Sequence, residues 1–410
     1  MKIQTKIRFK KTISWILNRL VFTHKRRLFV SYLENSPHDR YDILNCGSSN
    51  MFSVLNYLAK QYHEEPLDVI LEYYDKDRLQ DYSVFIEKAK SNNVDFKFIK
   101  SPNNGLWSLF KFNYYRFSSA IWINESGGTT FYGRKSSQRT ICFNYFISCK
   151  EDYQVGLERK WDFLDYLTTT ALLPSQIISA SNGVLLGNCH ITGFPRNDTL
   201  FNHEKETVIR EWIKEKAGFK PEKIIVYAPT YRDYEKKNKT ARPLLGYDVQ
   251  NMGEYLRKHN TVIICKLHPY QNIEAIQETD AIIQYESTYD FSLYDVLAIS
   301  DCLICDYSSL IFDYLLIDKP IIYNLYDLEE YEKVRGLSYY PYSMICAGDI
   351  VTNQAEFMSA INSVISGNDC YTDNREKVRK IIHKYPCDGA TQRTYEDLKE
   401  YLKSTLGMKL

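Results

Sequence analysis

A chain of 410 residues exceeds what one compact core usually holds and fits two domains of about 150–200 residues each. Its 44% hydrophobic and 25% charged residues are typical of a globular protein and exclude disorder as the main state. A mean hydropathy of −0.40, with no uninterrupted apolar run of about 18 residues, excludes a conventional membrane-spanning helix.

Positive charge is concentrated at the N-terminus. Residues 1–33 contain nine lysines and arginines and no acidic residue, whereas the rest of the chain has 43 basic against 51 acidic residues. A basic arm on an acidic body argues against nucleic-acid binding, for which positive charge would cover a folded face. Apolar residues and Trp15 recur at helical spacing in the arm. This pattern predicts an amphipathic helix on an anionic membrane surface, with a solvated tail or a helix docked on the protein as alternatives.

Short apolar strands alternate with helical stretches from residue 40 onwards. Strands are predicted at 42–46, 69–71, 96–99 and 120–124 in the first half, and at 223–228, 262–265, 281–283, 302–305 and 320–323 in the second. In the first half, the apolar spacing also predicts helices through Leu55, Leu58 and Tyr62 and over 77–91. Alternation of this kind is typical of parallel βαβ units.

A polar, lysine-rich stretch at 202–223 separates the two sets of strands. We therefore expect an α/β protein with two doubly wound parallel-sheet domains that face each other across a cleft. The predicted divisions are the basic arm at 1–33, a first domain at 34–201, a second domain at 202–385 and a C-terminal helix at 386–410. Whether this last helix returns to the first domain is left open.

The ten cysteines are scattered, without the spacing of a disulfide framework. Cys302 and Cys305 are the close pair, and the apolar run around them favours two small buried strand residues over a zinc or redox site. No metal site is predicted. Because no cleavable secretory signal is recognisable, the reducing cytoplasm is the expected compartment.

Polar clusters follow the predicted strands at their carboxyl ends, where ligands gather in such sheets. Ser308 and Ser309, at a predicted helix start, offer hydroxyl and N–H groups that suit a phosphate, although plain N-capping also explains a serine pair. His268 can donate to a phosphate oxygen or move a proton, with a structural histidine as the alternative. Arg196 and Arg232 can clamp phosphate oxygens or form surface ion pairs.

The second half is similar to a known family. Its clearest stretch, Asp-Cys-Leu-Ile-Cys-Asp-Tyr-Ser-Ser-Leu-Ile-Phe-Asp-Tyr at 301–314, resembles the CDP-glycerol glycerophosphotransferase family of teichoic-acid enzymes. The same resemblance extends to the stretches at 191–198, 228–233, 266–269, 319–323, 326–331, 335–336 and 388–393. It thus covers about residues 160–400.

The resemblance implies a GT-B fold, no bound catalytic metal or other cofactor, and monotopic attachment to the cytoplasmic side of the cell membrane. It implies transfer of glycerol phosphate or ribitol phosphate from a CDP-polyol to an acceptor, with release of CMP, in teichoic-acid or capsular polymer synthesis. The implied acceptor is a polymer or a polyprenyl-diphosphate-linked molecule. The first domain would then serve the acceptor and the second the donor.

The resemblance also implies roles for individual residues. His268, Ser308 and Ser309 are expected to contact the donor diphosphate. The other donor-side candidates are Thr230, Arg232, Lys266, Asp306 and Arg393, with Arg196 and Asp198 in the strand-end motif between the domains. Fixed donors and helix N-termini suit this chemistry, because in-line attack on phosphorus spreads negative charge over oxygens.

The first half departs from the family pattern. The family usually carries a Trp-His-Gly-Thr run with a candidate general-base histidine, whereas here the nearest stretch by position is 141–148 and no histidine lies between His63 and His190. Glu125, at a predicted strand end, is the candidate replacement if burial raises its pKa. The alternative is a turn carboxylate that accepts backbone N–H groups.

Two other functions remain open. A GT-B glycosyltransferase that uses a nucleotide sugar would need the same fold and a similar diphosphate site. A non-catalytic partner would keep the donor site without a base. Release of CMP from a CDP-polyol distinguishes the polyol-phosphate transferase from the other two hypotheses.

Overall fold

The computed structural model describes residues 21–31, 49–73, 83–101, 106–125, 134–150, 161–230, 232, 244, 247–267, 279–285 and 290–410. The first sheet contains β1 (His24–Val30), β2 (Leu67–Tyr73), β3 (Val94–Lys100), β4 (Ser119–Asn124), β5 (Arg139–Cys142), β6 (Tyr166–Thr169) and β7 (Cys189–Ile191). The second contains β8 (Lys223–Ala228), β9 (Thr261–Cys265), β10 (Ile282–Gln284), β11 (Cys302–Cys305), β12 (Ile321–Asn324) and β13 (Asp349–Val351).

The strands are parallel in both sheets, with the orders β3-β2-β1-β4-β5-β6-β7 and β10-β9-β8-β11-β12-β13. The predicted pair of parallel-sheet α/β domains is therefore confirmed. The predicted strand at 42–46 lies outside the described residues.

The helices that accompany the sheets are α1 (Asn50–Gln61), α2 (Ser83–Ser91), α3 (Leu106–Ser118), α4 (Leu172–Asn182), α5 (Glu206–Ala217), α6 (Val249–Lys258), α7 (Leu293–Ile299), α8 (Leu310–Tyr314), α9 (Leu328–Arg335), α10 (Gln354–Ile365), α11 (Thr372–Ile382) and α12 (Ala390–Leu406). Ser49 begins α1 as an N-cap whose side chain accepts the N–H of Phe52. In the part of the chain that the structure describes, no helix combines the length and apolar character needed to cross a membrane.

β1 lies inside the segment predicted as a basic arm. It pairs with β2 on one side and β4 on the other, so residues 24–30 form a central strand, and the predicted arm at 1–33 extends too far. Three of the nine basic residues that suggested an arm, Lys25, Arg26 and Arg27, lie in the first half of this strand, where Arg27 pairs with Asp68 at 2.8 Å. Residues 1–20, which carry most of the predicted amphipathic helix, lie outside the described residues.

Alternate residues of β1 contribute to two separate cores, because successive side chains of a strand point to opposite faces. Leu28 and Val30 are buried with α1 on one face of the first sheet. Phe29 is buried on the other face, where its ring meets that of Phe112 in α3 at 5.3 Å. The first sheet is thus covered on both sides, as parallel sheets require.

The second sheet follows the same rule. On β8, Val226 is buried against the α5 and α7 side, whereas Ile225 is buried against the α6 and α10 side. On β11, Cys305 and Cys302 are likewise buried in these two different cores. This agrees with the interpretation of the two cysteines as small buried strand residues.

The C-terminal helix α12 packs on the first sheet, although it follows the second domain in sequence. Leu398 and Leu402 are buried in the same core as α1, and the rings of Tyr395 and Tyr57 lie 5.3 Å apart. At the start of α12, the Asp198 carboxylate accepts the N–H groups of residues 390 and 391 at 2.7 and 2.8 Å. The helix is therefore fixed to the first domain along its length and at its start.

The packing of α12 can be tested by truncating one buried side chain. Leu402 is fully buried, so Leu402→Ala should lower the free energy of unfolding by about 2–5 kcal/mol through lost contacts and a cavity. The same substitution at Leu172, which is 57% exposed on α4, should change it by less than about 0.5 kcal/mol. Urea unfolding followed by circular dichroism measures both values, and equal effects would contradict this packing.

Candidate active site

The donor-side candidates follow β8 and β11, which are neighbours in the second sheet. Ala228 is aligned with Cys305, so the residues after both strands emerge at one edge of the sheet. The Thr230 N–H donates to Asp306 Oδ1 at 2.9 Å. Two of the predicted strand-end clusters therefore meet, at the edge where ligands of such sheets bind.

Arg232 forms a buried ion-pair cluster. Its Nη1 lies 3.0 Å from Asp306 Oδ2, and its Nε and Nη2 donate to the two oxygens of Asp327 at 2.7 and 3.0 Å. Its guanidinium also lies 5.0 Å from the ring centroids of both Tyr307 and Tyr331. Burial opposes the charge, but the two carboxylates outweigh burial and hold the pKa of Arg232 above its usual value.

These contacts correct one alternative for Arg232. The sequence left open that Arg232 forms a surface ion pair. This alternative is wrong, because the arginine is almost completely buried. Because three of its nitrogens already have carboxylate partners, Arg232 fixes the loops after β8 and β11 relative to each other. Its predicted contact with a phosphate stays a prediction.

Ser308 and Ser309 precede α8 and are both partly exposed. The Ser308 hydroxyl accepts the N–H of Leu310 at 3.3 Å, which is a weak capping contact. Among the described residues, the helix donates no capping hydrogen bond to the Ser309 side chain. The capping alternative therefore accounts for Ser308 better than for Ser309.

The cluster after β9 is described only as far as Leu267. Lys266 is partly buried, and its backbone N–H donates to the carbonyl oxygen of Tyr227 at 2.8 Å. This hydrogen bond fixes the start of the cluster beside β8, at the edge that carries Thr230. His268 itself lies outside the described residues.

Arg393 lies in the first turns of α12. Its Nη1 donates to the carbonyl of Asp388 at 2.7 Å, and its Nε donates to the carbonyl of Thr192 at 3.2 Å. The guanidinium stacks on Tyr385 with its carbon 4.8 Å from the ring centroid. These contacts tie α12 to the loop after β7, so the donor role expected for Arg393 stays a prediction.

Arg196 is buried between the two halves. Its Nη2 donates to Asp313 Oδ2 on α8 at 2.7 Å, and Tyr294 donates to the same oxygen at 2.6 Å. Burial again opposes the charge, but Asp313 outweighs it and keeps the pKa of Arg196 above its usual value. The surface-ion-pair alternative is therefore wrong for Arg196 as well, which is 5% exposed.

Glu125 follows β4 and stands at the N-terminal end of α1. Its Oε1 accepts the N–H groups of Asn50 and Met51 at 2.5 and 3.3 Å, and its Oε2 accepts the Ser49 hydroxyl at 3.0 Å. Burial raises the pKa of Glu125 to about 7, against the opposing effects of Arg196 and these hydrogen bonds.

The surroundings of Glu125 combine features of both predicted roles. The backbone N–H contacts are those of a structural carboxylate, whereas a pKa near neutrality is the property that a general base needs. A helix N-terminus also stabilises negative charge, so the carboxylate form is accessible at physiological pH. The general-base role stays a prediction.

Asn50 is a polar residue of the site that the sequence analysis did not select. It is completely buried, and its Oδ1 accepts the Arg196 N–H at 2.9 Å while its Nδ2 donates to the carbonyl of Asn144 at 2.6 Å. Its signal in the sequence is its position directly after Ser49, at the start of an amphipathic helix. Asp313, the partner of Arg196, was likewise not recognised, because it lies inside an apolar helix.

Within the described ranges, a few buried polar atoms near these strand ends have no hydrogen-bond partner. They include both amide atoms of Asn124 and the hydroxyl of Thr230. Most buried polar groups are satisfied in folded proteins, so such atoms are candidates for ligand contacts. In the same ranges, no group of three or more His, Cys, Asp or Glu side chains is placed to hold a metal ion.

The amino-acid sequence matches a known protein family and several characterised proteins. Residues 61–400 match the model of a family described as CDP-Glycerol:Poly(glycerophosphate) glycerophosphotransferase. The teichoic acid ribitol-phosphate polymerase TarL of Staphylococcus aureus (strain NCTC 8325 / PS 47) is 34% identical over 185 residues, covering 44% of this chain and 32% of TarL. The teichoic acid ribitol-phosphate primase of Bacillus spizizenii (strain ATCC 23059 / NRRL B-14472 / W23) is 31% identical over 214 residues, covering 52% and 53%. The matches thus span about a third to a half of these relatives.

Solved structures resemble the whole chain. The wall teichoic acid polymerase TagF superposes with a TM-score of 0.71 at 20% identity, covering 97% of this chain and 96% of that one. This likeness confirms the GT-B-like fold. Because the family model matches most of the sequence, the chain belongs to the CDP-glycerol:poly(glycerophosphate) glycerophosphotransferase family.

Proposed function

We propose that this protein transfers glycerol phosphate or ribitol phosphate from a CDP-polyol to a membrane-linked acceptor, with release of CMP, in teichoic-acid or capsular polymer synthesis. The observation that carries the proposal is the family match over residues 61–400. The relatives support the choice of donor, since their names describe glycerol-phosphate and ribitol-phosphate primases and polymerases. A TagF variant soaked with CDPG supports it further.

On the donor side, we propose that Ser308, Ser309, Thr230 and His268 contact the diphosphate. The Ser309 side chain makes no capping hydrogen bond among the described residues, and the Thr230 hydroxyl has no partner among them. Both are therefore available to donate to phosphate oxygens. Lys266, which precedes His268 closely, adds positive charge on the same edge of the sheet.

Asp306 and Arg232 act one step away from the donor in this proposal. Asp306 accepts the Thr230 N–H, and Arg232 holds Asp306 from the other side. The pair thus fixes the position of Thr230 and of the loop that leads to Ser308. A site held rigidly before substrate binds stabilises a transition state without reorganisation.

The proposed reaction is an in-line displacement at the phosphorus that carries the polyol. The acceptor hydroxyl oxygen forms a bond to this phosphorus, while the bond to the bridging oxygen breaks and CMP leaves with that oxygen. Negative charge spreads over the phosphoryl oxygens, where hydroxyl and imidazole donors stabilise it. The proton of the acceptor hydroxyl goes to Glu125, whose pKa of about 7 suits this task.

The donor site can be tested with nucleotide binding and CMP release. CDP-glycerol or CDP-ribitol should yield CMP in the presence of a lipid-linked acceptor, and UDP-sugars should not react. Ser308→Ala/Ser309→Ala should weaken donor binding by roughly 10–150-fold for each lost charge-assisted hydrogen bond, or about 1.5–3 kcal/mol. The matched control is Ser359→Ala/Ser366→Ala, which changes two exposed serines at α10.

Each other outcome of this test has a meaning. Unchanged donor affinity in the folded Ser308/Ser309 variant would contradict the assignment of the diphosphate site. Turnover of a nucleotide sugar would favour the glycosyltransferase alternative. Donor binding without turnover on any acceptor would favour the non-catalytic partner.

The base can be tested by Glu125→Gln, which keeps the shape and removes the charge. Turnover should fall by about 10²–10⁴-fold, with donor affinity unchanged, because Glu125 would face the acceptor. A base works only when deprotonated, so kcat/KM of the native enzyme should rise with pH through about 7, and the variant should lose this limb. Glu64→Gln, at an exposed glutamate, is the control. Full activity of Glu125→Gln would exclude the base role, and loss of folding would favour the structural carboxylate.

We further propose peripheral attachment to an anionic membrane through residues 1–20 and the exposed face of α3. Trp107, Phe110 and Tyr114 on this helix are 77%, 44% and 38% exposed, and the first two rings stack at 5.8 Å. α3 contains two basic residues and no acidic one. Val21, the residue that follows the segment 1–20, packs against the same core as Tyr115 of α3.

Vesicle binding tests this surface. Deleting residues 1–20 should weaken binding to anionic vesicles, and Trp107→Ala/Phe110→Ala should weaken it further, because interfacial aromatics and basic residues both contribute. The deletion stops before His24, where β1 begins. Binding should fall with added salt, because salt shortens the range of interactions between exposed charges to about 8–10 Å at physiological ionic strength. Binding to neutral vesicles should be weak, because they offer no anionic lipid to the basic residues. Binding that neither salt nor these variants affect would point to another surface.

A further inference from the structure

A chain of buried polar contacts joins the donor-side helix α8 to Glu125 in the first domain. Arg196 uses its side chain to bind Asp313 at 2.7 Å and its backbone N–H to bind Asn50 Oδ1 at 2.9 Å. The Asn50 N–H in turn donates to Glu125 Oε1 at 2.5 Å. Arg196, Asn50 and Asp313 are each at most 5% exposed. Asp313 lies four residues after Ser309, so the chain connects both proposed sides of the reaction.

The charges along this chain act on Glu125. Arg196 favours its ionised form, and burial opposes it. Asp313 and the phenol of Tyr294 lie beyond Arg196, on α8 and α7, and α1 presents the Ser49 hydroxyl and N–H groups to the carboxylate. Arg196, Asp313 and Tyr294 are thus the charged and titratable groups that this chain of contacts connects to Glu125.

The stability of the fold does not by itself explain why Arg196 is buried at this position. Its Nε is buried without a hydrogen-bond partner among the described residues, and an unsatisfied buried donor costs free energy. A buried ion pair is also often no more stable than apolar residues of similar size. The arrangement instead keeps a buried positive charge on the segment that is linked through Asn50 to the carboxylate at the end of β4.

We propose that Arg196 is a positioning residue of the transfer reaction, which holds Glu125 through Asn50, keeps a positive charge on this buried chain, and links Glu125 through Asp313 to the donor-side helix. This inference rests on the proposed role of Glu125 as the base on the acceptor side. It replaces the direct clamp on phosphate oxygens that the sequence suggested for Arg196.

Two substitutions that remove opposite charges from the same buried pair should shift the pKa of Glu125 in opposite directions. Arg196→Gln removes the positive charge and leaves Asp313 nearby, so Glu125 should hold its proton to higher pH. Asp313→Asn leaves the charge of Arg196 unneutralised, so Glu125 should lose its proton at lower pH. A purely structural pair would lose stability in both variants without this opposition of sign.

The pKa of Glu125 can be measured without catalysis, from the pH dependence of Tm. A buried carboxyl with a raised pKa makes the folded state bind a proton more tightly than the unfolded one. Its stabilising contribution is complete below its ordinary value of 4.5 and is lost as pH rises to about 7, above which stability levels off. Subtracting the Tm curve of the matching Glu125→Gln variant isolates this transition.

In the native protein, the curve of Tm against pH should level off near pH 7. This break should lie about one pH unit higher in Arg196→Gln and at a lower pH in Asp313→Asn. Arg196→Lys, which keeps the charge, should stay close to the native value. With CDP-glycerol, Arg196→Gln should show about tenfold lower kcat/KM below pH 7 and recovery at higher pH, with donor affinity retained. If Arg196→Gln fails to fold, the downward shift in Asp313→Asn alone decides.

Shifts of the same sign in both variants, or no shift in either, would overturn the inference. If the native protein releases no CMP while the opposite shifts in Tm are present, the proposed function fails and the link between Arg196 and Glu125 stands. If CMP is released and the shifts are absent, the function stands and the positioning role of Arg196 fails.

Discussion

The buried ion pair between Arg196 and Asp313 joins the segment after β7 to the helix that follows the proposed diphosphate site. Asp313 accepts hydrogen bonds from Arg196, Asn197 and Tyr294, so both of its carboxylate oxygens have donors. In a low-dielectric interior, breaking such a pair by removing one partner is costly, because it leaves an uncompensated charge. The relative position of α8 and the end of the first domain therefore depends on this contact.

A second buried arginine organises the edge of the second sheet. Arg232 binds Asp306 and Asp327, which brings together the loops after β8, β11 and β12. Both arginines carry their charge inside the protein, and both have a pKa above the usual value because carboxylates outweigh burial. Charges held in this way are fixed before any ligand arrives, which is the condition for electrostatic stabilisation of a phosphoryl transition state.

The first domain is completed by elements from both ends of the described chain. β1, near the N-terminus, is an interior strand of its sheet, and α12, near the C-terminus, covers one face beside α1. His190 on the edge strand β7 contacts Asp397 of α12 at 2.6 Å, which adds a polar link to the apolar packing. The start of α12 is also held by Asp198, in the segment after β7 that carries Arg196.

Local patterns in the chain were sufficient to predict most strands. Buried parallel strands are continuous apolar runs, so β8 and β11 were predicted at the residues where they occur, and the polar clusters behind them were recognised as strand ends. The strands β5, β6, β7 and β13 were missed, because each of these short segments contains polar residues and lacks a continuous apolar run. β1 was mistaken for part of the arm, because its basic start concealed three buried residues.

Tertiary contacts decided the roles of individual side chains. Arg196 and Arg232 look like exposed clamps in the sequence, and only the fold brings Asp313 and Asp327 to them from 117 and 95 residues away. The environment of Glu125 likewise depends on α1, whose N–H groups at Asn50 and Met51 are 75 and 74 residues away in sequence and reach its carboxylate only in the folded protein. Apolar periodicity is a local property and can be read from the sequence. Charge compensation is set by distance in space, and the sequence does not contain that distance.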